Sequence, residues 1–425
     1  MHLNASTTLE RRLTNDAGSN YCASAGHVHP LPVPPPGVLA GTPIPAIMDY
    51  TRFIFWPERR DLSGLRVLDA GCGTGDTAVA IAAANPTIEV VGIDLSETSL
   101  ALARAQADQR GVGNNLQLHC LPIEEVGSLG QSFDYIVLCG VIHHLDNPAR
   151  GLDALVNVLT PTGGIFLMLY ATYGRAGVYQ MQDALRLMAG AADYEERVAL
   201  ARALVQRLPQ DHPFKAREWT DPNWPGDAGL VDLLLHVRDR SYTVPQIFEL
   251  LDGAGLQLAR FMDPLSYEPA THVGQAGEFD ALDPRRRAEL AELLCGSMRK
   301  HSFYATRSTY TPFHPLPAGE LLLGLRPRLS PLFAWDSLET PDPRNQNRVR
   351  VNERILSDHY TRNFDLERWN LAVLSECNGR RSALELFMLG GIHQAIPGRT
   401  VDDKLNVFGS LLQELAAQEL IFCEL

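Results

Sequence analysis

Lysine is scarce: of 37 basic residues only Lys215, Lys300 and Lys404 are lysine, a bias read as genome composition rather than mechanism. The net charge is −13 at pH 7, and short clusters such as Arg285-Arg286-Arg287 supply no concentrated basic face, which excludes general nucleic-acid binding. Cysteine is also sparse. Its seven positions (22, 72, 120, 139, 295, 377, 423) are odd in number and never spaced Cys-x-x-Cys, so neither a disulfide framework nor a zinc site is indicated. No apolar run approaches a membrane span, residues 1–25 lack the apolar centre of a secretory signal, and the cytoplasm is the expected compartment.

What is present is ample for folding. The chain has 425 residues, 45% hydrophobic and 20% charged, enough for two or three domains with proper cores. It is organised around Leu65-Arg-Val-Leu-Asp-Ala-Gly-Cys-Gly-Thr-Gly-Asp76, which reads as strand, glycine turn and the start of a helix over the apolar run Ala78 to Ala84. Glycines there let a ligand lie against bare backbone, and the helix start offers free N–H groups. About 20 residues on, a second apolar strand ends in Asp94, as a ribose-binding acid should. The Gly-x-Gly-x-Gly spacing with Asp69 before it suits an ammonium group better than a pyrophosphate, which Asp69 would repel.

Four segments, Val67 to Gly75, Gly92-Ile-Asp-Leu-Ser96, Phe133 to Cys139 and Gly140-Val-Ile-His-His-Leu145, resemble in that order the motifs of class I S-adenosylmethionine-dependent methyltransferases. The resemblance implies S-adenosylmethionine as cofactor and an α/β fold: a Rossmann-like seven-stranded sheet with a helical insertion, followed by a small α+β winged-helix-like C-terminal domain. It implies that Asp69 holds the methionine amino group while Gly71, Cys72, Gly73 and Gly75 line that moiety. Asp94 then takes the ribose hydroxyls with Leu95 beneath the adenine, and Cys139 and Gly140 pass near the sulfonium. The family's usual Gly-Asp pair after the third strand is replaced by His119-Cys120, which shifts the adenine role to Ile123 and Glu124.

The expected segments are an arm over 1–46, a cofactor core over 47–172 and a helical cap over the acceptor at 173–238. The rest of the sheet follows at 239–312, then a proline-rich connector at 313–347 and a tail at 348–425. Tyr50, in the aromatic stretch Ile47 to Pro57, is a candidate lid on the cofactor. His143 and His144 are candidate bases or substrate anchors, with Asp146 orienting one of them, against a bland reading as packing and loop geometry. No metal is expected, because adjacent histidines point apart and no evident carboxylate set accompanies them; His27 and His29 likewise lack further ligands. Tyr173, with Tyr170, Arg175 and Tyr179, is expected to wall the acceptor pocket. The insertion and tail look like those of multi-domain bacterial methyltransferases acting on proteins or peptides, including lysine methyltransferases of outer-membrane proteins. A small-molecule acceptor and a non-catalytic cofactor-binding regulator are the alternatives, and the tail could recognise a partner or form a homodimer.

Overall fold

The structure, a computed structural model, describes residues 47–59, 61–189, 193–216, 227–236, 238–274, 277–311, 319–330, 335–339, 348–353, 362–417 and 420–424. The expected arm over 1–46 lies outside them. Two compact units are present, one of residues 63–311 and one that joins the described residues up to Leu62 to those from 319 onward. No helix among the described residues is long and apolar enough to cross a membrane.

The first unit is built on a seven-stranded sheet in the order β3-β2-β1-β4-β5-β7-β6. The strands are β1 (Arg66–Ala70), β2 (Glu89–Asp94), β3 (Leu116–Cys120), β4 (Phe133–Cys139), β5 (Leu159–Tyr170), β6 (Leu256–Phe261) and β7 (Lys300–Arg307). The first five pair in parallel, and β7 runs antiparallel between β5 and β6. This is the sheet expected from the motifs. β4 and the later half of β5, from Gly164 to Tyr170, are nearly continuous apolar runs because helices cover both faces of a parallel sheet. Helix starts follow the sequence signals: Ser96 accepts the Ser99 N–H before Glu97–Gln109, and Asn147 accepts the Arg150 N–H ahead of Pro148–Val158. Phe133, Ile136, Leu138, Leu152, Leu155, Ile165, Leu167 and Phe303 are among the side chains of the main core, and each such burial contributes about 1.5–3 kcal/mol.

Residues 171–242 leave and rejoin the sheet at one point, where Ala171 bridges Tyr242 and the Tyr242 N–H donates to the Tyr170 carbonyl. Between lie the helices Ala176–Ala189 and Tyr194–Arg207 and the π-helical turn Val231–Leu235. They close on a core of their own containing Val178, Met181, Leu185, Ala201, Phe214 and Leu234. The insertion is therefore a body set on the carboxyl end of β5, where open α/β sheets bind ligands.

The second unit corrects two expectations. The helix Met48–Phe55 belongs to it rather than to the cofactor core: seven of its eight residues are buried, Phe53 stacks on Phe422 at 4.5 Å and Tyr50 meets the same ring edge-on at 5.8 Å. A helix buried on nearly every side needs cover all round, which a lid would not give it. The supposed connector contributes Leu322 and Leu325 to the unit's core, on one side of the short helix Glu320–Gly324, and supplies β8 (Arg326–Leu329). The closing strand β12 (Ile421–Glu424) pairs antiparallel with β8. β9 (Trp335–Glu339), β10 (Arg348–Glu353) and β11 (Arg362–Glu367) form a separate antiparallel sheet, and the helix Arg368–Glu376 begins directly after β11. The long helix Val401–Ala417 buries Phe408, Leu411, Leu412 and Leu415 as an apolar face should.

Candidate cofactor and acceptor site

At the end of β1 the chain turns through three glycines with positive φ, Gly71 at 81°, Gly73 at 52° and Gly75 at 89°. Two of them are required by packing. A Cβ on Gly71 would stand 2.5 Å from the Val141 side chain and one on Gly75 2.7 Å from Ala103, whereas a Cβ on Gly73 would meet nothing within 4 Å. The open side of the loop is thus at Gly73. Its N–H donates to Asp94 Oδ2 at 2.9 Å, and the Ser96 N–H donates to Oδ1 at 2.8 Å. Each carboxylate oxygen keeps a lone pair for a further donor such as a hydroxyl. Leu95 follows, 70% exposed, an apolar surface beside that acid.

Asp69 is buried and accepts the Ala78 N–H at 3.0 Å, one of the unpaired donors at the start of the helix Asp76–Ala84. Burial raises its pKa to about 7 in spite of that bond, with Asp94 and Asp76 adding to the rise. A carboxyl half-charged near neutrality at a helix start is suited to an incoming cation. Burial also pushes the Cys72 thiol up to about 12 and that of Cys139 to about 11, so both are protonated wall groups and not nucleophiles. Ile123 is buried in the main core, while Glu124 on the same short helical turn is half-buried. The fit to S-adenosylmethionine is good on this side: open backbone at Gly73, a part-satisfied acid, an exposed apolar neighbour and a buried acid.

The second wall begins after β4. Gly140 (φ 75°) turns the chain into Ile142–His144. His143 is 0% exposed, its ring 4.0 Å from that of Tyr170 and 4.2 Å from that of His144. Neither of its nitrogens has a hydrogen-bond partner. Burial, with the charges of His144, Arg175 and His236, lowers its pKa to about 2, so the ring is neutral and has little proton affinity to offer as a base. His144 is lowered as well, chiefly by burial. Its Nδ1 lies 2.7 Å from the Arg238 carbonyl, to which it must donate. Asp146, expected to orient a histidine, instead pairs with Arg238 at 3.3 Å.

Of the four residues expected on the acceptor wall, the structure brings three together. The Arg175 guanidinium lies 3.5 Å above the Tyr170 ring and 5.8 Å from that of Tyr179, while Tyr173 is 38% exposed. Burial keeps the Tyr170 and Tyr179 hydroxyls protonated. Arg175 pairs with Asp239 at 3.3 Å, both side chains buried, and Gln182 donates to the same Asp239 oxygen at 2.9 Å. Asp232, His236, Asp239 and Gln182 were not singled out from sequence. The available signal was a polar residue at each end of the apolar turn Asp232-Leu-Leu-Leu-His236.

A methyltransferase-domain family matches residues 68–166. The chain is 32% identical over 287 residues to the uncharacterised protein syc1184_c of Synechococcus sp., covering 65% of this chain and 69% of that one. It is 35% identical over 107 residues to the ubiquinone biosynthesis O-methyltransferase of Neisseria meningitidis, a match over 25% of this chain that spans 44% of that enzyme's length. Its fold is similar to that of PKMT2 from Rickettsia typhi, at TM-score 0.61 and 16% identity over 92% of this chain and 76% of the other. PKMT2 has also been solved in complex with AdoHcy. Motifs, sheet order and matched family agree, and the chain belongs to the class I S-adenosylmethionine-dependent methyltransferases.

Proposed function

We propose that this methyltransferase modifies a nitrogen or oxygen nucleophile, or less directly a carbon, on a protein or peptide. S-adenosylmethionine, when bound, supplies a methyl group on a sulfonium, which transfers in line to the acceptor as positive charge is neutralised. Asp69 would take its amino group and Asp94 its ribose hydroxyls. Gly71, Cys72, Gly73 and Gly75 would border the methionine part, with Leu95, Ile123 and Glu124 about the adenine and Cys139 and Gly140 near the reacting centre. Tyr50 is not carried into this set, since its ring is spent in the other unit's core.

The chain's part in the chemistry is positioning and exclusion of water, where proximity effects reach about 7–11 kcal/mol. His143, held neutral and buried, acts as a wall with Tyr170 and not as a base. The observation that carries a polypeptide acceptor is the cap. It is a helical body with its own core on the carboxyl end of β5, and it leaves Leu187 (88% exposed), Met188 and Tyr194 uncovered. Such apolar residues suit contact with another macromolecule. A small-molecule acceptor is the second reading, favoured by the compact buried group of Tyr170, Arg175, Gln182 and Asp239.

Incubating lysate with methyl-labelled cofactor separates the two. Label is expected in polypeptide, and the double substitution Leu187→Asp, Met188→Asp should lower it at least fivefold with cofactor affinity unchanged. Label confined to small molecules would overturn the polypeptide reading.

A further inference from the structure

The insertion returns to the sheet carrying the ligands that the adjacent histidines lacked in sequence. Asp232, His236 and Asp239 arrive beside His143 and His144, and two overlapping triplets result. His143, His144 and Asp239 each present one donor atom within 4.8 Å of the others, and so do His144, Asp232 and His236. The first triplet is buried to half-buried, whereas the second includes exposed Asp232 and faces solvent.

Hydrogen bonding chooses between them. The Arg238 carbonyl fixes the His144 proton on Nδ1, which leaves Nε2 as a lone pair, the usual arrangement by which an outer carbonyl prepares an imidazole for a metal. His143 has both nitrogens buried and unpartnered, so either can present a lone pair. Asp239 is held through Oδ2 by Arg175 and Gln182, and its Oδ1 is buried without a partner. His236, by contrast, uses Nδ1 to accept the Arg238 N–H at 3.1 Å, which in the neutral ring puts its proton on Nε2. His143 and Asp239 thus hold buried polar atoms without a partner, close to the half-buried His144, and leaving such atoms unsatisfied has a free-energy cost that a shared cation would remove.

We propose that His143, His144 and Asp239 form a binding site for a first-row divalent cation, of the zinc or cobalt type, with His236 and Asp232 lining its access from solvent. Two imidazoles and a carboxylate suit such an ion and leave coordination positions open. Arg175 is the opposing charge. It offsets part of Asp239 through Oδ2 and limits affinity without occupying Oδ1. The site sits where β4 and β5 end, so an ion there would face the acceptor side of the cleft and could take an oxygen of the acceptor as a ligand. The binding itself does not depend on which acceptor is methylated.

The test uses the full chain stripped with a chelator and titrated with Co2+ and Zn2+, followed by calorimetry and by the visible absorption of bound Co2+. One equivalent per chain is expected, tighter than about 10 μM, with a rise in Tm that chelator reverses. His144→Gln and Asp239→Asn should each weaken binding at least tenfold, while His236→Gln changes it less than threefold. Because Asp239→Asn also disturbs the Arg175 pair, circular dichroism and cofactor affinity of each variant are measured alongside; the wild-type stoichiometry and Tm response stand independently of them. Absence of a one-to-one ion overturns the proposal. So does binding that His144→Gln leaves intact, or a loss with His236→Gln that equals the loss with His144→Gln while Asp239→Asn has none, which would place the ion at the outer triplet.

Discussion

Asp94 and Asp239 are both carboxylates held by two donors at the rim of one sheet, yet they are held differently. Asp94 receives two neutral backbone N–H groups, from Gly73 and Ser96, and is part-buried, so no cation among the described residues answers it there and it has spare lone pairs for a ligand. Asp239 is buried against a guanidinium and an amide, from Arg175 and Gln182, so most of its charge is already answered within the chain. The first arrangement leaves both oxygens open to a ligand; the second fastens the cap through Oδ2 and leaves only Oδ1 for the proposed cation. A carboxylate's function here depends on the charge of its donors rather than on how many it has.

Breaking the fastening should have the largest effect. Arg175→Ala leaves Asp239 buried without its cation and is expected to cost about 3–5 kcal/mol of stability in urea unfolding, whereas Arg175→Met with Asp239→Asn should cost clearly less. Equal losses would mean that packing of the guanidinium on Tyr170, and not the charge pair, holds the cap. At the first carboxylate, Asp94→Ala should weaken S-adenosylmethionine at least tenfold, about 1.4 kcal/mol, by titration calorimetry. Unchanged affinity would remove Asp94 from the cofactor site.

The loop glycines sharpen the same contrast on a smaller scale. Gly73→Ala should lose about 1–2 kcal/mol of stability through its positive φ, together with cofactor affinity, because its Cβ would enter the open side of the loop. Gly71→Ala should lose more stability than Gly73→Ala, since its Cβ also collides with Val141. The smallest expected signal is a fraction of a proton. Asp69, raised to about 7, binds a proton over half the time below that pH, and a cation bound beside it would lower its pKa. Cofactor binding should therefore release a proton, about half of one at pH 7 and more at pH 6, so that affinity rises with pH through this window. Calorimetry in buffers of different ionisation enthalpy reads the release, and Asp69→Asn should abolish it. The apo fold shows the opposite trend: with the pKa raised above its unfolded value, wild type should lose stability relative to Asp69→Asn as pH rises from about 4 to 7 and then level off.

How much of this was legible in sequence follows chain separation. The tie from Gly73 to Asp94 spans 21 residues and is carried by one strand-turn-helix-strand pattern, so the glycine loop and the acid it meets can be paired from sequence. The partners of Asp239 lie 57 and 64 residues away, and His144 meets the Arg238 carbonyl across 94 residues. Nothing periodic encodes those meetings; they depend on how the cap's helices pack. The second unit is less legible for a related reason. Leu321 to Leu325 is too short a run to announce burial, and Phe364 sits in a strand whose partner, β10, depends on pairing rather than on local pattern.

The position of β7 has a consequence for the order in which the molecule is made. β7 lies between β5 and β6, the Thr306 hydroxyl donates to the Gly163 carbonyl, and Arg307 donates to the carbonyls of Val156 and Leu159. Until a ribosome has delivered residue 307, β5 presents an apolar unpaired edge, and β6, though already synthesised, has no neighbour to join. The nascent chain therefore spends the whole of the cap and more, from Tyr170 to Lys300, with one edge of β5 unpaired. That makes the cap's independent core a means of keeping a long intervening segment out of the way while the sheet waits for its last strand.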